Sequence, residues 1–207
     1  PPQRPDLRAS DDVALKSYDL RSWWFIAVNT SNPTLGKRDV RQALNHILDR
    51  NELREFTTGV RPGDKNSPCE FISGPFVQSS PYYNRTIDVI ETADRARADT
   101  LLQGAGLEKI GGRWHDGGEP VVLKIGMLAN LNNEAPDLLE YIGNQLGDAG
   151  FDRQTAKVGQ DEWKQEVIPG NSDFDLVIGK WSFGLVEEVY DLFHSQGRKN
   201  IFNYADG

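Results

Sequence analysis

The chain has a single cysteine, Cys69, in 207 residues. One thiol excludes an internal disulfide and any zinc cluster built on cysteines. Thiol poverty is compatible with export without establishing it. The three histidines, His46, His115 and His194, show no metal-ligand spacing among themselves or with the acids. His46 falls on the polar side of a helical pattern and reads as solvated. No apolar run approaches the roughly 20 residues that cross a bilayer, so membrane insertion is not expected. Basic residues are in deficit: 23 Lys and Arg stand against 31 Asp and Glu, a net charge of −8. Neutralising phosphates needs clustered cations, so a nucleic-acid surface is not expected either.

Enzyme signatures are missing as well. There is no Gly-x-Ser-x-Gly elbow. Gly111-Gly112 and Gly117-Gly118 are not followed by the Lys-Ser/Thr of a phosphate-binding loop. Glu187-Glu188 is an acid pair of the kind that 31 acids produce by chance, and reads better as a solvated helix start. Neither catalysis nor a cofactor is expected. The first residues, Pro1-Pro2-Gln3-Arg4-Pro5, carry no initiator Met and no hydrophobic segment. This reads as a piece of a larger protein.

What is present is an alternation of apolar periods. The run Trp23 to Val28 reads as a buried strand, here extended over 23–29, and is broken by Pro33 and Gly36. Val40, Ala43, Leu44, Ile47 and Leu48 then recur at helical spacing, which predicts a helix over 37–49. Asp39 lies in its first turn, where the helix dipole favours an acid. Asp49-Arg50-Asn51 reads as a polar break before the apolar pair Leu53 and Phe56. Residues 57–90 are dense in turn formers, and so long an irregular stretch tends to be functional or to wrap a neighbouring lobe.

Further helices are predicted over 93–105, with Thr92 as N-cap, and over 135–149, with Pro136 in the first turn. Gly106 and Gly150 supply the stops. Strands are expected over 121–128, with Val121, Leu123, Ile125 and Met127 on one face, and over 174–181. The glycine pairs between 111 and 118 read as turns of a small hairpin. Val13, Leu15 and Tyr18 suggest an edge strand, 151–158 a weak strand, and 161–167 and 186–193 short helices. The sum is an α/β fold: a mixed sheet with flanking helices.

Several stretches, taken in order, resemble one family. They are Asn29, Asn32-Pro33, Val40-Arg41-Gln42-Ala43-Leu44 and Asp49-Arg50; then Ser73-Gly74-Pro75 and Ser80-Pro81-Tyr82-Tyr83-Asn84. Asp94, Ala98, Leu101-Leu102 and Ala105-Gly106 follow, then Phe174-Asp175-Leu176 with Gly179 and Trp181, and Asn200 with Asn203-Tyr204. The chain resembles the peptide/nickel/opine-type extracellular solute-binding proteins of ABC importers. The resemblance implies one lobe of a periplasmic-binding-protein-like type II fold, with residues 1–207 forming the distal, ligand-closing lobe. It implies as partners a small solute (oligopeptide, opine, sugar or metal chelate), the first lobe of the same chain, and an ABC permease. It implies a periplasmic or extracellular location. A cytoplasmic transcription regulator with a similar sensing lobe is the alternative.

The strand ending in Trp181 carries the candidate site. Ligands of open α/β sheets lodge at strand ends, where an aromatic can stack on the solute while Ser182 and backbone groups orient it. On residue types alone, Trp181 and Phe183 read as caps on the hydrophobic core. The resemblance instead implies a ligand-facing set of Trp181, Ser182 and Phe183, with Asn29, Trp24 and Glu187. Peptide-binding members of the family carry an Asp a few residues beyond this Trp, for the peptide's α-amino group. Here Gly184 stands three residues on, and Glu187 is the nearest acid. An ammonium buried without a carboxylate is costly, which puts a free-amine peptide in doubt.

Overall fold

Strand β1, Ser22–Val28, alternates two apolar faces: Trp24, Ile26 and Val28 on one, Phe25 and Ala27 on the other. Both are covered, which is why its sequence reads as a continuous hydrophobic run. The computed structural model describes residues 21–59, 69–168, 173–184 and 188–201. The expected edge strand around Val13, Leu15 and Tyr18 lies outside them.

Beyond Pro33 and Gly36, helix α1 (Arg38–Ile47) buries Val40, Ala43, Leu44 and Ile47. The polar break at Asp49 is a corner between helices, because its carboxylate caps a second helix, α2 (Arg50–Thr58). That carboxylate accepts from the N–H groups of Asn51 and Glu52 at 3.0 and 3.2 Å, and from Ala93 N–H at 3.2 Å. Helix α3 (Arg95–Gly104) starts later than its apolar pattern suggests, capped by Asp94 and not Thr92. Asp94 N–H donates to the His46 carbonyl at 2.8 Å, which holds 93–94 against the end of α1 in non-helical backbone. His46 is half-buried there, with Nδ1 unpartnered among the described residues, and is not the solvated residue its helical position suggests.

A small antiparallel sheet follows: β2 (Glu108–Ile110), β3 (Arg113–Asp116) and β4 (Glu119–Pro120). Its two tight turns need positive φ at both central positions, and Gly111-Gly112 and Gly117-Gly118 supply it. Trp114 anchors this sheet, fully buried, donating from Nε1 to the Ala149 carbonyl at 2.9 Å.

The main sheet has strand order β1-β7-β5-β6, with β5 at Val122–Leu128, β6 at Asp152–Val158 and β7 at Leu176–Ser182. β5 runs parallel to both β6 and β7, while β1 runs antiparallel to β7. A 3-10 turn (Ala129–Asn133) and helix α4 (Leu138–Ala149) connect β5 to β6. α4 begins after Pro136, because Asp137 adopts a left-handed φ of 63° that interrupts the helical path. A short helical segment over 160–167 leads towards β7, and α5 (Gln160–Glu162) is its first part. The last helix, α6 (Tyr190–Phe193), is shorter than the 186–193 span expected; residues 186 and 187 lie outside the described part.

The larger core lies on the α1, α3 and α4 side and holds Leu123, Ile125, Met127, Leu176 and Ile178 from the sheet. A smaller core on the opposite face joins Ala27 and Val177 to Val158, Trp163, Val167 and Ile201. Close approach shapes both layers. Gly179 makes room for the Phe25 ring, whose Cζ lies 2.4 Å from where a Cβ would stand.

The loop after β1 is tied to the start of β7 by a buried carboxylate. Asp175 accepts from Asn32 Nδ2 at 2.7 Å and from Lys124 N–H at 2.8 Å, while its own N–H donates to the Lys124 carbonyl at 2.9 Å. The same loop reaches the hairpin through Asp116, which accepts from Thr34 Oγ1 at 2.7 Å and Lys37 Nζ at 2.8 Å. Those two bonds, Lys37 first, hold the Asp116 carboxyl below its ordinary range. A depressed pKa makes the anion a stabilising species above the unfolded-state value of about 3.9, and that stabilisation is lost as pH falls through the folded-state value. Comparing wild type with Asp116→Asn by thermal melts from pH 7 to pH 2 should show an advantage to wild type at neutral pH that disappears in acid. A gap that does not change with pH would contradict this account.

Candidate functional site: the carboxyl edge of the sheet

The parallel strands β5, β6 and β7 end along one edge, and β1 begins there. Open α/β sheets present ligand sites at this edge, because the connecting loops splay apart beyond the strands. β7 delivers Trp181 opposite Trp23, and Ser182 opposite Ser22. Trp181 is half-buried on the smaller-core face, and Ser182 is exposed. Lys199 places Nζ 5.3 Å from the centre of the Trp181 ring. Trp23 packs its ring against Phe25 at 4.9 Å, and its indole N–H is buried without a partner among the described residues.

Phe183 continues the edge. Its N–H donates to the Arg21 carbonyl at 2.8 Å, extending the β1–β7 pairing past the strand. Its ring stacks on Phe76, with centroids 6.0 Å apart and planes 19° from parallel. Phe76 in turn meets the exposed Tyr82 at 5.5 Å. The irregular segment beyond α2 therefore crosses the sheet edge and adds two aromatic rings to it.

Other expected residues fall elsewhere. Trp24 is one residue from Trp23 and so points to the opposite face, where Lys180 Nζ lies 5.5 Å from its ring and 2.6 Å from Glu134 Oε2. Asn29 sits at the far end of β1, six residues past Trp23, about 20 Å along the strand at the usual rise. There its N–H donates to the Asp175 carbonyl at 2.9 Å, and its side chain bonds the Phe174 carbonyl and Ser31 N–H. A solute the size of one amino acid or one sugar at Trp181 does not reach it. Glu187 lies outside the described residues.

Phe76, Tyr82 and Lys199 were not in the expected set. The first two lie in a segment with no apolar period, so only its prolines and tyrosines marked it. Lys199 is one lysine in a polar return loop, and nothing in the sequence shows which ring it covers.

No group of three or more His, Cys, Asp or Glu side chains suited to a metal occurs among the described residues. A cavity of about 620 Å³ opens at the amino end of β6, between the Gly111-Gly112 turn and α4. Its charged groups already have partners: Arg113 pairs with Asp152, Arg153 donates to Asn144, and Glu140 accepts from Thr155. Ligand pockets are mostly apolar with a few convergent polar groups, and the carboxyl edge fits that description better.

The fold, an open mixed sheet with flanking helices, is that of the type II solute-binding proteins. The sequence model of the bacterial extracellular solute-binding proteins, family 5, middle region, matches residues 1–202, and the chain belongs to that family. The oligopeptide-binding protein AppA of Bacillus subtilis (strain 168) is 27% identical over 212 residues, covering 97% of this chain. The chain spans 35% of that relative's length. A solved structure of the oligopeptide-binding protein AppA from Bacillus subtilis in complex with a nonapeptide superposes with a TM-score of 0.73 at 24% identity, over 91% of this chain and 37% of that chain. A nickel ABC transporter structure from Bacillus halodurans gives a TM-score of 0.76 at 18% identity, over 98% and 40% of the two chains.

The Phe183–Phe76 stack is the described ring contact between the crossing segment and β7. Phe183→Ala should release that segment, and hydrogen exchange of residues 71–83 should rise with little change at α1 or β5. Unchanged protection at 71–83 would mean that other contacts hold the crossing.

Proposed function

We propose that residues 1–207 form the ligand-closing lobe of an ABC-importer binding protein. It captures a small solute between two lobes and hands it to a permease. The aromatic edge supports this most directly: Trp181 stands near the carboxyl end of β7, and Phe183, just beyond it, stacks on Phe76, which meets Tyr82. Such a row offers flat apolar faces while Ser182 and nearby backbone groups supply direction. Membership of an extracellular solute-binding family favours the importer over the cytoplasmic regulator and fits a periplasmic or extracellular location. It also fits a binding role without catalysis.

The solute belongs to the range that oligopeptides, opines, sugars and metal chelates span. The relatives named above are described as binding an oligopeptide or as a nickel transporter. Gly184 offers no carboxylate for a peptide's free α-amino group, so an amine-led peptide is the least favoured member of that range. One lobe leaves half of any bound solute in water, so tight binding needs the other lobe and hinge closure.

Mass spectrometry of solute retained by the full-length protein should identify the ligand, and calorimetry should measure it on wild type and Trp181→Ala. Removing the platform should weaken binding by about tenfold or more, the scale of a buried aromatic contact. Residues 1–207 alone should bind at least a further order of magnitude more weakly. The stability loss should stay well short of the roughly 3–5 kcal/mol that a core Trp→Ala costs. A loss of that size with undiminished affinity would make Trp181 a core plug.

A further inference from the structure

Lys199 is held over Trp181 by a built turn. Leu192 and Ile201, on either side of it, are buried, the latter in the smaller core beside Ala27 and Val177. Lys199 N–H donates to the Asp191 carbonyl at 2.9 Å, and Ile201 N–H to the Lys199 carbonyl at 2.9 Å. Gly197 lets the turn close, since a Cβ there would stand 2.5 Å from the Asp191 carbonyl oxygen. The backbone that carries the ammonium is therefore fixed at both ends.

Within ion-pair distance the charges around it do not cancel among the described residues. Asp191 is the acid near Lys199, at 4.0 Å, and it also serves Arg198 at 3.5 Å. Two cations share one carboxylate. Lys180, the next nearest lysine along the strand, is on the opposite face and is matched by Glu134. The Trp181 ring thus carries a cation on its face, where ring quadrupole and ammonium attract. An incoming ammonium competes for that face and is repelled by Lys199. An incoming carboxylate meets a positive charge while its hydrocarbon part lies on the indole.

We propose that Lys199 makes the Trp181 platform a subsite for the carboxylate-bearing end of the solute. This rests on the reading of Trp181 as a ligand platform and narrows it. Opines, metal chelates of amino acids and the carboxyl end of a peptide have such a group; a neutral sugar does not. Like-charge placement of this kind selects by rejecting the wrong partner as much as by attracting the right one.

The test is collisional quenching of Trp181 fluorescence in the full-length protein, taken as wild type minus Trp181→Phe. The probes are iodide, caesium and neutral acrylamide at constant ionic strength. With each probe normalised to its quenching of free N-acetyltryptophanamide in the same buffer, and then to acrylamide, iodide should quench Trp181 roughly twofold or more better than caesium, because a local positive potential concentrates anions. Lys199→Gln should abolish that preference and Lys199→Arg should retain it. Equal quenching in wild type, or a preference that survives in Lys199→Gln, overturns the anionic subsite while leaving Trp181 as a platform. If acrylamide itself does not reach Trp181, the platform reading falls, and this inference with it. Recovery from the full-length protein of a solute with no acidic group overturns the inference on its own.

Discussion

The buried carboxylate of Asp175 is the interaction on which the sheet depends. β7 must meet β1 antiparallel and β5 parallel, and nothing in its apolar run fixes either register. Asp175 bonds the backbone N–H of Lys124 and the side chain of Asn32, while its main chain bonds Lys124 and Asn29. One residue thus joins three strands' ends at the same level. A one-residue slip would strand these groups and reverse the faces of Leu176 to Ser182.

That placement divides the sheet into two unlike ends. The end at Asn29, Asn32 and Asp175 is locked by hydrogen bonds and, through Thr34 and Lys37, bound to the small hairpin at Asp116. The other end carries aromatic rings whose contacts are non-directional and partly open to solvent. Polar bonds fix geometry at one end, and rings packed without directional bonds make up the other. The ion pairs near that edge, Lys180–Glu134 and Lys199–Asp191, are partly exposed and contribute little to stability. Their effect is on the local field.

Elements whose signal is local were legible in the sequence. The α1 face, strands β1, β5 and β7, the glycine turns and the stops at Gly106 and Gly150 follow from periodicity and φ preferences that neighbours in sequence decide. Errors fell where distant contacts override local preference. Asp94 replaces Thr92 as a cap because His46 holds its N–H. Helix α4 waits for Leu138 because Asp137 takes a left-handed conformation. The polar break at Asp49 is the cap of a second helix.

For the site, the sequence by itself determined that a strand rich in apolar residues ends in Trp181-Ser182-Phe183, with no acid at 184. It also determined the family-like order of motifs around that strand. Only the tertiary structure decided which of the candidates share a surface. Trp24 is excluded from the Trp181 face by the two-residue alternation of a strand, once register is known. Asn29 is carried to the far end because β1 and β7 run antiparallel. Phe76 and Lys199 arrive from segments more than a hundred residues and about twenty residues from Trp181, brought in by packing that no local period encodes.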